Sequence, residues 1–451
     1  MNILHSWLEE SREKCDMRAV QIPRSHSREW QFDGQCIYHR TNRFFKIIGI
    51  ECIIQNHHGR HKIEQPLIDQ PEIGILGFLI QKHKDGIRIM VQAKPEPGNI
   101  GLIQAAPSVQ ATESNYQKVH NGKETPFLDH FTGIADSKLI SDSLQSEQGS
   151  RFLSKYNRNM LVELPSDVHL DHGKAYKWVD VRELLELLSV PYQVNTDARS
   201  VLVSSSWKAL VKNNVPFDRW RRLDGLGAAL LKSYEPDDIQ CFHTIDEIQI
   251  KLANCRQSAA FKIKQLALSQ MNQWAITSDT IKAVKADGFE VRHYEISTSE
   301  REVSQWDQPL VCSLHQGVVC LFAQIKNGLL HFLFNCRPEP GFKEYCQFGP
   351  TIQDLKEQSL MFPGHYKMDI MLKEHLSRAT CLISCPQSDE GGRFYHSTSD
   401  YKIVLLNKEE EVEYNSYLCW MSLRQIEELV KIPANFNNEA RSLISMLMTY
   451  L

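Results

Sequence analysis

No stretch of this chain approaches 18 uninterrupted apolar residues, and its opening, MNILHSWLEESREKCDM, has no basic region followed by an apolar run. A membrane span and a secretory leader are therefore not expected, and we read a cytosolic protein with no membrane partner. Charge of one sign is missing too. Against 55 Asp and Glu stand 51 Lys and Arg, a formal net charge of −4, which offers no basic footprint to a phosphate backbone and removes nucleic acid from the expected partners. A small anion held by a few local Arg or Lys stays compatible. The 12 cysteines are scattered, and none is followed by another after the two-residue gap of a zinc knuckle; Cys381 and Cys385 come nearest. Reduced thiols are expected rather than disulfides, because a chain of 451 residues has apolar content enough not to need them. There is no Walker loop, no Gly-x-Ser-x-Gly elbow and no His-Glu-x-x-His. GLGAAL at 225-230 lacks the third glycine and a preceding strand, and HHGRH at 57-61 reads as a loop. The expectation left standing is chemistry by side chains alone, with no metal and no cofactor.

What is present is a repetition. QAKPEPGNIGLIQAAPSVQ at 92-110 is echoed by NCRPEPGFKEYCQFGPTIQ at 335-353, and further segments match at a nearly constant offset. EQPLIDQPEIG (64-74) faces DQPLVCSLHQG (307-317), SEQGSRF (146-152) faces SDEGGRF (388-394), VNTDARS (194-200) faces FNNEARS (436-442), and Trp30 faces Trp274. Two duplicated units are implied, 28-205 and 272-447, a period too long for a solenoid. Between them, 206-271 is rich in helix formers and holds a Thr244/Glu247 capping box, so a helical connector is expected. Each unit reads as strands followed by a capped helix, the caps being Asp180 with Glu183 and Ser422 with Gln425. That pattern predicts an α+β fold with mixed sheets.

Alternation over 87-93 places Ile87, Ile89, Val91 and Ala93 on a packing face and Arg88, Met90, Gln92 and Lys94 on the other. In the second unit Phe332, Phe334 and Cys336 are expected inward, and His331, Asn335 and Arg337 outward. Pro95 and Pro97 stiffen the backbone around Glu96, and Gly98 is expected to let the chain turn. An amide, a cation and a carboxylate are thus mounted close together on rigid backbone. Downstream, Gln104, Thr112, Ser114, Asn115, Tyr116 and His120 are followed by Glu147, Arg151, Arg158 and Asn159. Such a mixture of amides, hydroxyls, acids and arginines suits an oxygen-rich ligand such as a sugar.

QAKPEPGN, APSVQATESNY, LQSEQGSRF and NRNM, with the second-unit PEPG, GPTIQ and SDEGGRFYH, resemble the NDP-hexose 2,3-dehydratases of deoxysugar biosynthesis, from about Trp30 to the C-terminus. The resemblance implies a duplicated Nudix-like fold, a homodimer, and a dTDP-linked 4-keto-6-deoxyhexose as substrate. Neither VRELLELLSV nor LRQIEELVKI carries the acidic pattern of a metal-binding Nudix helix, so hydrolysis of the diphosphate is not expected. With that substrate, a base would remove the proton on carbon three beside the ketone, and hydroxide would leave carbon two. Glu96, Glu147, Tyr116 and His120 are candidates for proton transfer and Lys94 for stabilising the enolate. Arg151 and Arg158 suit the diphosphate. Gln92, Asn99, Gln104, Gln110, Thr112, Ser114, Asn115, Asn159 and Trp306 complete the expected substrate contacts. Arg337, Glu339, Gln347, Gln353 and Arg393 would form a second pocket, structural or a weaker nucleotide site, because DLKEQSLMFPGH replaces the Ser-Asn-Tyr run there. A non-catalytic sugar-nucleotide binder or scaffold and a residual Nudix hydrolase are the alternatives.

Overall fold

The computed structural model of the chain describes residues 2-56, 59-112, 125-221, 225-236, 241-259, 261-285, 288-299, 303-355, 363-412 and 415-451. Two seven-stranded mixed sheets share one strand order. The first runs Lys138–Ser146, Tyr156–Leu164, Gly74–His83, Gly86–Pro95, Tyr176–Asp180; the second runs Thr380–Ser388, Thr398–Leu405, Gly317–Lys326, Leu329–Pro338, Leu418–Met421. In each, the second and third strands are parallel and the other neighbours antiparallel. IGILGFLIQ is apolar on both faces because its strand is central and covered on both sides. The predicted packing face of Ile87, Ile89, Val91 and Ala93 joins Phe332, Phe334 and Cys336 in one core that runs through both units. Helices Thr196–Ser204 and Asn438–Leu447 meet within that core, where the Thr196 hydroxyl donates to Asn438 Oδ1 (3.0 Å) and Arg441 Nε to Ser200 Oγ (2.9 Å).

Smaller sheets interlock the units. Strand Arg18–Ile22, which precedes the first unit, pairs with Phe289–Ser297 of the second. Phe261–Leu266, which precedes the second, pairs with Lys46–Asn56 of the first. The connector is therefore not helical throughout. Leu226–Tyr234 and Ile245–Ser258 are helices, the latter with the Thr244/Glu247 capping box, but FKIKQL is drawn into the open edge of a sheet, whose pairing outweighs its helix propensity. The two tryptophans cross over in the same way: Trp30 Nε1 donates to Asp307 O and Trp274 Nε1 to Glu64 O, both at 2.6 Å. Ser422 and Gln425 form their reciprocal cap. Asp180 caps its helix, while Glu183 turns away to accept from the Leu4 amide of the N-terminal helix (2.9 Å).

The PEPG segments lie where these exchanges converge. Gly98 N donates to Gly391 O and His396 N to Gly98 O, each at 2.9 Å; Gly341 N donates to Gly149 O and Ser154 N to Gly341 O, each at 2.7 Å. A Cβ on Gly98 would lie 1.6 Å from Phe394 O, and one on Gly341 1.8 Å from Phe152 O. These glycines admit the backbone of the other unit; Gly98 is not among those with positive φ, so the expected turn is not its reason for being there. Gly98→Ala and Gly341→Ala are each expected to cost about 1–3 kcal/mol, the range for forced overpacking, read as a lower denaturation midpoint.

All twelve cysteines are unpaired and most are buried. Among the described residues no helix is long and apolar enough to cross a membrane, and no group of three His, Cys, Asp or Glu is placed to hold a metal.

Candidate active site

The strand of 86–95, the following β-ladder and the exchanged loop of the second unit enclose a cavity of about 1530 Å³. From the first unit it is lined by Gln92, Lys94, Glu96, Gln110, Thr112, Glu147, Lys155, Asn157 and Asp197; from the second by Trp306, Gln308, Glu390 and Arg393. Ser114, Asn115, Tyr116 and His120 lie outside the described residues, as do His57 and His58; residues 59-61 of HHGRH, expected as a loop, instead begin the strand Gly59–Asp69, whose backbone pairs with Lys46–Asn56.

Lys94 sits one residue before Pro95, so its side chain leaves the sheet on the side opposite the core. Its Nζ lies 3.2 Å from Glu96 Oε1, and Glu96 is only 3% exposed. Glu96 also accepts from Gln110 Nε2 (3.3 Å), whose own oxygen accepts from Asn195 Nδ2 (3.3 Å), and Asn195 caps the helix that begins at Thr196. Glu147 accepts from Asn157 (2.8 Å) and from Asn438 of the second unit (3.4 Å). Two of the cavity's carboxyl groups are thus held by amides or a cation.

Asp197 and Glu390 are different: among the described residues no side chain or amide hydrogen-bonds either carboxyl group. Burial pushes the Glu390 carboxyl up to about 7, an effect opposed by Arg393 and reinforced by Glu96 and Glu147. Burial, then the charges of Glu390, Glu147 and Glu96, lifts Asp197 well above the usual carboxylate range. Lys155 donates to Glu72 O, and burial lowers its pKa while Glu147 partly offsets that. Carboxyl groups that keep protons near neutrality therefore stand beside carboxylates held in place, the pairing that acid–base chemistry uses.

Several expected contacts lie elsewhere. Asn99, 1% exposed, closes the PEPG turn by donating to Leu102 O (3.2 Å). Gln104 donates to Ser388 Oγ (2.8 Å) and ties the units together. Arg151 stacks over Phe289 at 4.1 Å and donates to Ser150 O, away from the cavity. Arg158 is on the outer face with Asp142, and Asn159 donates to Ser200 Oγ (2.6 Å) in the interior; along this strand it is Asn157 that reaches the cavity. Arg393, grouped by sequence with the second pocket, lines this one because its loop crosses over. The same crossing brings in Glu390. Both it and Asp197 stood inside repeat-matched segments, SDEGGRF and VNTDARS, and that match was the available signal.

The second unit holds the same network closed. Asn437 Nδ2 donates to Gln353 Oε1 (2.9 Å) and Gln353 Nε2 to Glu339 Oε1 (3.2 Å), as in the Asn195, Gln110, Glu96 series, and Glu339 also accepts from the Ser150 amide. Gln347 accepts from Ser146 (2.8 Å), mirroring Gln104. Arg337 does not point to solvent: it forms a two-pronged pair with Asp369 (3.0 and 2.5 Å) on the helix Pro363–Lys373, which covers this face. His331 and Asn335 are buried as well, against the expectation of an outward face. The space left beside Asp389 and Glu439 is about 30 Å³, the size of one water.

A family described as NDP-hexose 2,3-dehydratase matches residues 1–204 and 246–447. The chain is similar to a dTDP-4-dehydro-6-deoxy-alpha-D-glucopyranose 2,3-dehydratase of Streptomyces violaceoruber at 31% identity, over 99% of this chain and 96% of that protein. Relatives of the same description from Saccharopolyspora spinosa (30% identity, 98% and 90%) and Amycolatopsis orientalis (28%, 98% and 89%) match over similar spans.

Proposed function

The chain belongs to the NDP-hexose 2,3-dehydratase family of hydro-lyases, and from that premise we propose that its large cavity removes the 2-hydroxyl of dTDP-4-keto-6-deoxyglucose, giving a 3,4-diketo-2,6-dideoxy sugar. The substrate comes from the names of the relatives. The observation that carries the reading is the Lys94–Glu96 pair walled into a cavity with carboxyl groups of raised proton affinity.

The ketone acidifies the hydrogen on carbon three. Glu96, rigid between two prolines and steadied by Gln110, takes that hydrogen as a proton; Glu147 is the alternative base. Negative charge moves to the oxygen on carbon four, where the Lys94 ammonium stabilises it. The electron pair returns to form the bond between carbons two and three as the 2-hydroxyl departs. The enol then tautomerises to the second ketone. A cavity above the usual 300–1,000 Å³ range leaves room for the nucleoside diphosphate, and with Arg151 and Arg158 elsewhere, Arg43, Lys14 and Lys174 on its wall are the cations for the phosphates. We assign catalysis to this cavity and a structural role to the closed network of the second unit.

Incubation with dTDP-4-keto-6-deoxyglucose is expected to give a product lighter by one water in mass spectrometry, at the same rate in excess chelator. Unchanged sugar in the presence of tight binding would replace the reading with a non-catalytic one. Release of dTMP that depends on added magnesium would replace it with hydrolysis.

A further inference from the structure

The elimination needs a proton for the departing oxygen. We infer that Glu390, delivered by the second unit, is the catalytic acid that protonates the 2-hydroxyl as it leaves, so the first unit's site is incomplete without the second. This rests on the dehydratase reading.

Four observations bear on it. The 388–394 loop is fixed against the PEPG backbone by the Gly98 hydrogen bonds, and Glu390 O anchors its turn by accepting from Arg393 N (3.1 Å) and Phe394 N (2.9 Å). A Cβ on Gly392 would sit 2.9 Å from Glu390 Oε1 and 3.8 Å from Glu96 Oε1, so the two oxygens border one small space. Glu96 and Glu147 are engaged by Lys94, Gln110, Asn157 and Asn438, whereas the Glu390 carboxyl has no hydrogen-bond partner among the described residues. Finally, the repeat aligns Glu390 with Gln148. The closed second site thus carries an amide, which cannot supply this proton, and that amide donates to Asp389 instead (3.0 Å).

The proton balance closes. Glu96 gains the carbon-three proton, the C2–O bond breaks, and the oxygen leaves as water with the Glu390 proton. When the enol tautomerises, Glu96 returns its proton to carbon two and Glu390 takes the one from the carbon-three hydroxyl. Both groups are reset with no oxidant or reductant. The charges around Glu390 are those of Arg393, Glu96, Glu147, Lys94, Lys155 and, deeper, Asp197, and burial dominates in keeping this acid protonated up to about pH 7.

The test compares Glu390→Gln and Glu96→Gln in heavy water, with the natural sugar and with its 2-deoxy-2-fluoro counterpart, whose leaving group needs little protonation. Glu390→Gln is expected to lose water about 10²–10⁴-fold more slowly yet still exchange the carbon-three hydrogen and expel fluoride within a few-fold of the parent. Glu390→Asp, which keeps the acid on a shorter arm, is expected to fall between and serves if the amide does not fold. Parental water loss in Glu390→Gln, or fluoride loss slowed by the same factor as water loss, overturns the assignment. Carbon-three exchange that survives in Glu96→Gln overturns the base instead and leaves the Glu390 comparison standing.

Discussion

Lys94→Met is expected to slow water loss by about 10²–10³-fold, the cost of deleting one preorganised donor at a developing oxyanion, with little change in the denaturation midpoint. Methionine keeps the length of the side chain and removes the charge. Lys94 is 18% exposed and among the described residues its ion pair is with Glu96, so its loss leaves no deep packing void. The electrostatic consequences go further than the missing donor. Lys94 lowers the proton affinity of both Asp197 and Glu390, so without it both carboxyls hold protons to higher pH and any alkaline limb of the rate profile moves upward. Exchange of the carbon-three hydrogen should slow in step with water loss, because the enolate is common to both. Turnover left intact in Lys94→Met, or in Glu96→Ala, would refute the assignment. Arginine at this position is not a rescue: the second unit has Arg337 there, and its longer planar head reaches past the Glu339 carboxylate to Asp369.

The parts of this molecule legible in the sequence were those set by near neighbours in the chain. Alternation over 87–93 predicted the core face, the Ser422/Gln425 and Thr244/Glu247 spacings predicted caps, and the repeat predicted two sheets of one design. The cavity wall was legible where it belongs to one strand, as with Gln92, Lys94 and Glu96. What the repeat leaves open is which copy a segment packs against. Sequence adjacency assigns Arg393 to the second pocket, whereas the close approach at Gly98 brings its loop, and Glu390 with it, to the first. Edge pairing has the same character: FKIKQL becomes a strand because Lys46–Asn56 has an unfilled side, a fact written more than two hundred residues away. The outward face predicted for His331, Asn335 and Arg337 failed because other segments cover it: Asp369 on the helix Pro363–Lys373 pairs with Arg337, Thr351 O accepts from Asn335 Nδ2 and Phe242 lies beside His331, and nothing within those strand residues encodes these partners.

That helix makes the same motif position behave in the opposite way in the two units. Arg337→Leu is expected to lower stability by about 3–5 kcal/mol, the cost of breaking a buried pair from one side, while turnover of the protein that remains folded stays within a few-fold. Both side chains of the Arg337–Asp369 pair are 2% exposed, so Asp369 would be left buried with its cation gone. His365, held neutral by burial with its pKa down to about 3 and further lowered by Arg337, offers no replacement charge near neutral pH. Arg337→Leu/Asp369→Leu removes both charges and should recover most of the loss. It should not recover all of it, since Arg337 also donates to Pro350 O (3.2 Å), and an unpaired buried carbonyl costs about 1–3 kcal/mol; Thr351 O keeps its bond from Asn335 Nδ2. The measurements are denaturant midpoints together with water loss at a temperature where each variant is folded. If Arg337→Leu instead kept its midpoint and lost more turnover than Lys94→Met, the second unit would hold the chemistry, and the assignment of the two sites would be reversed.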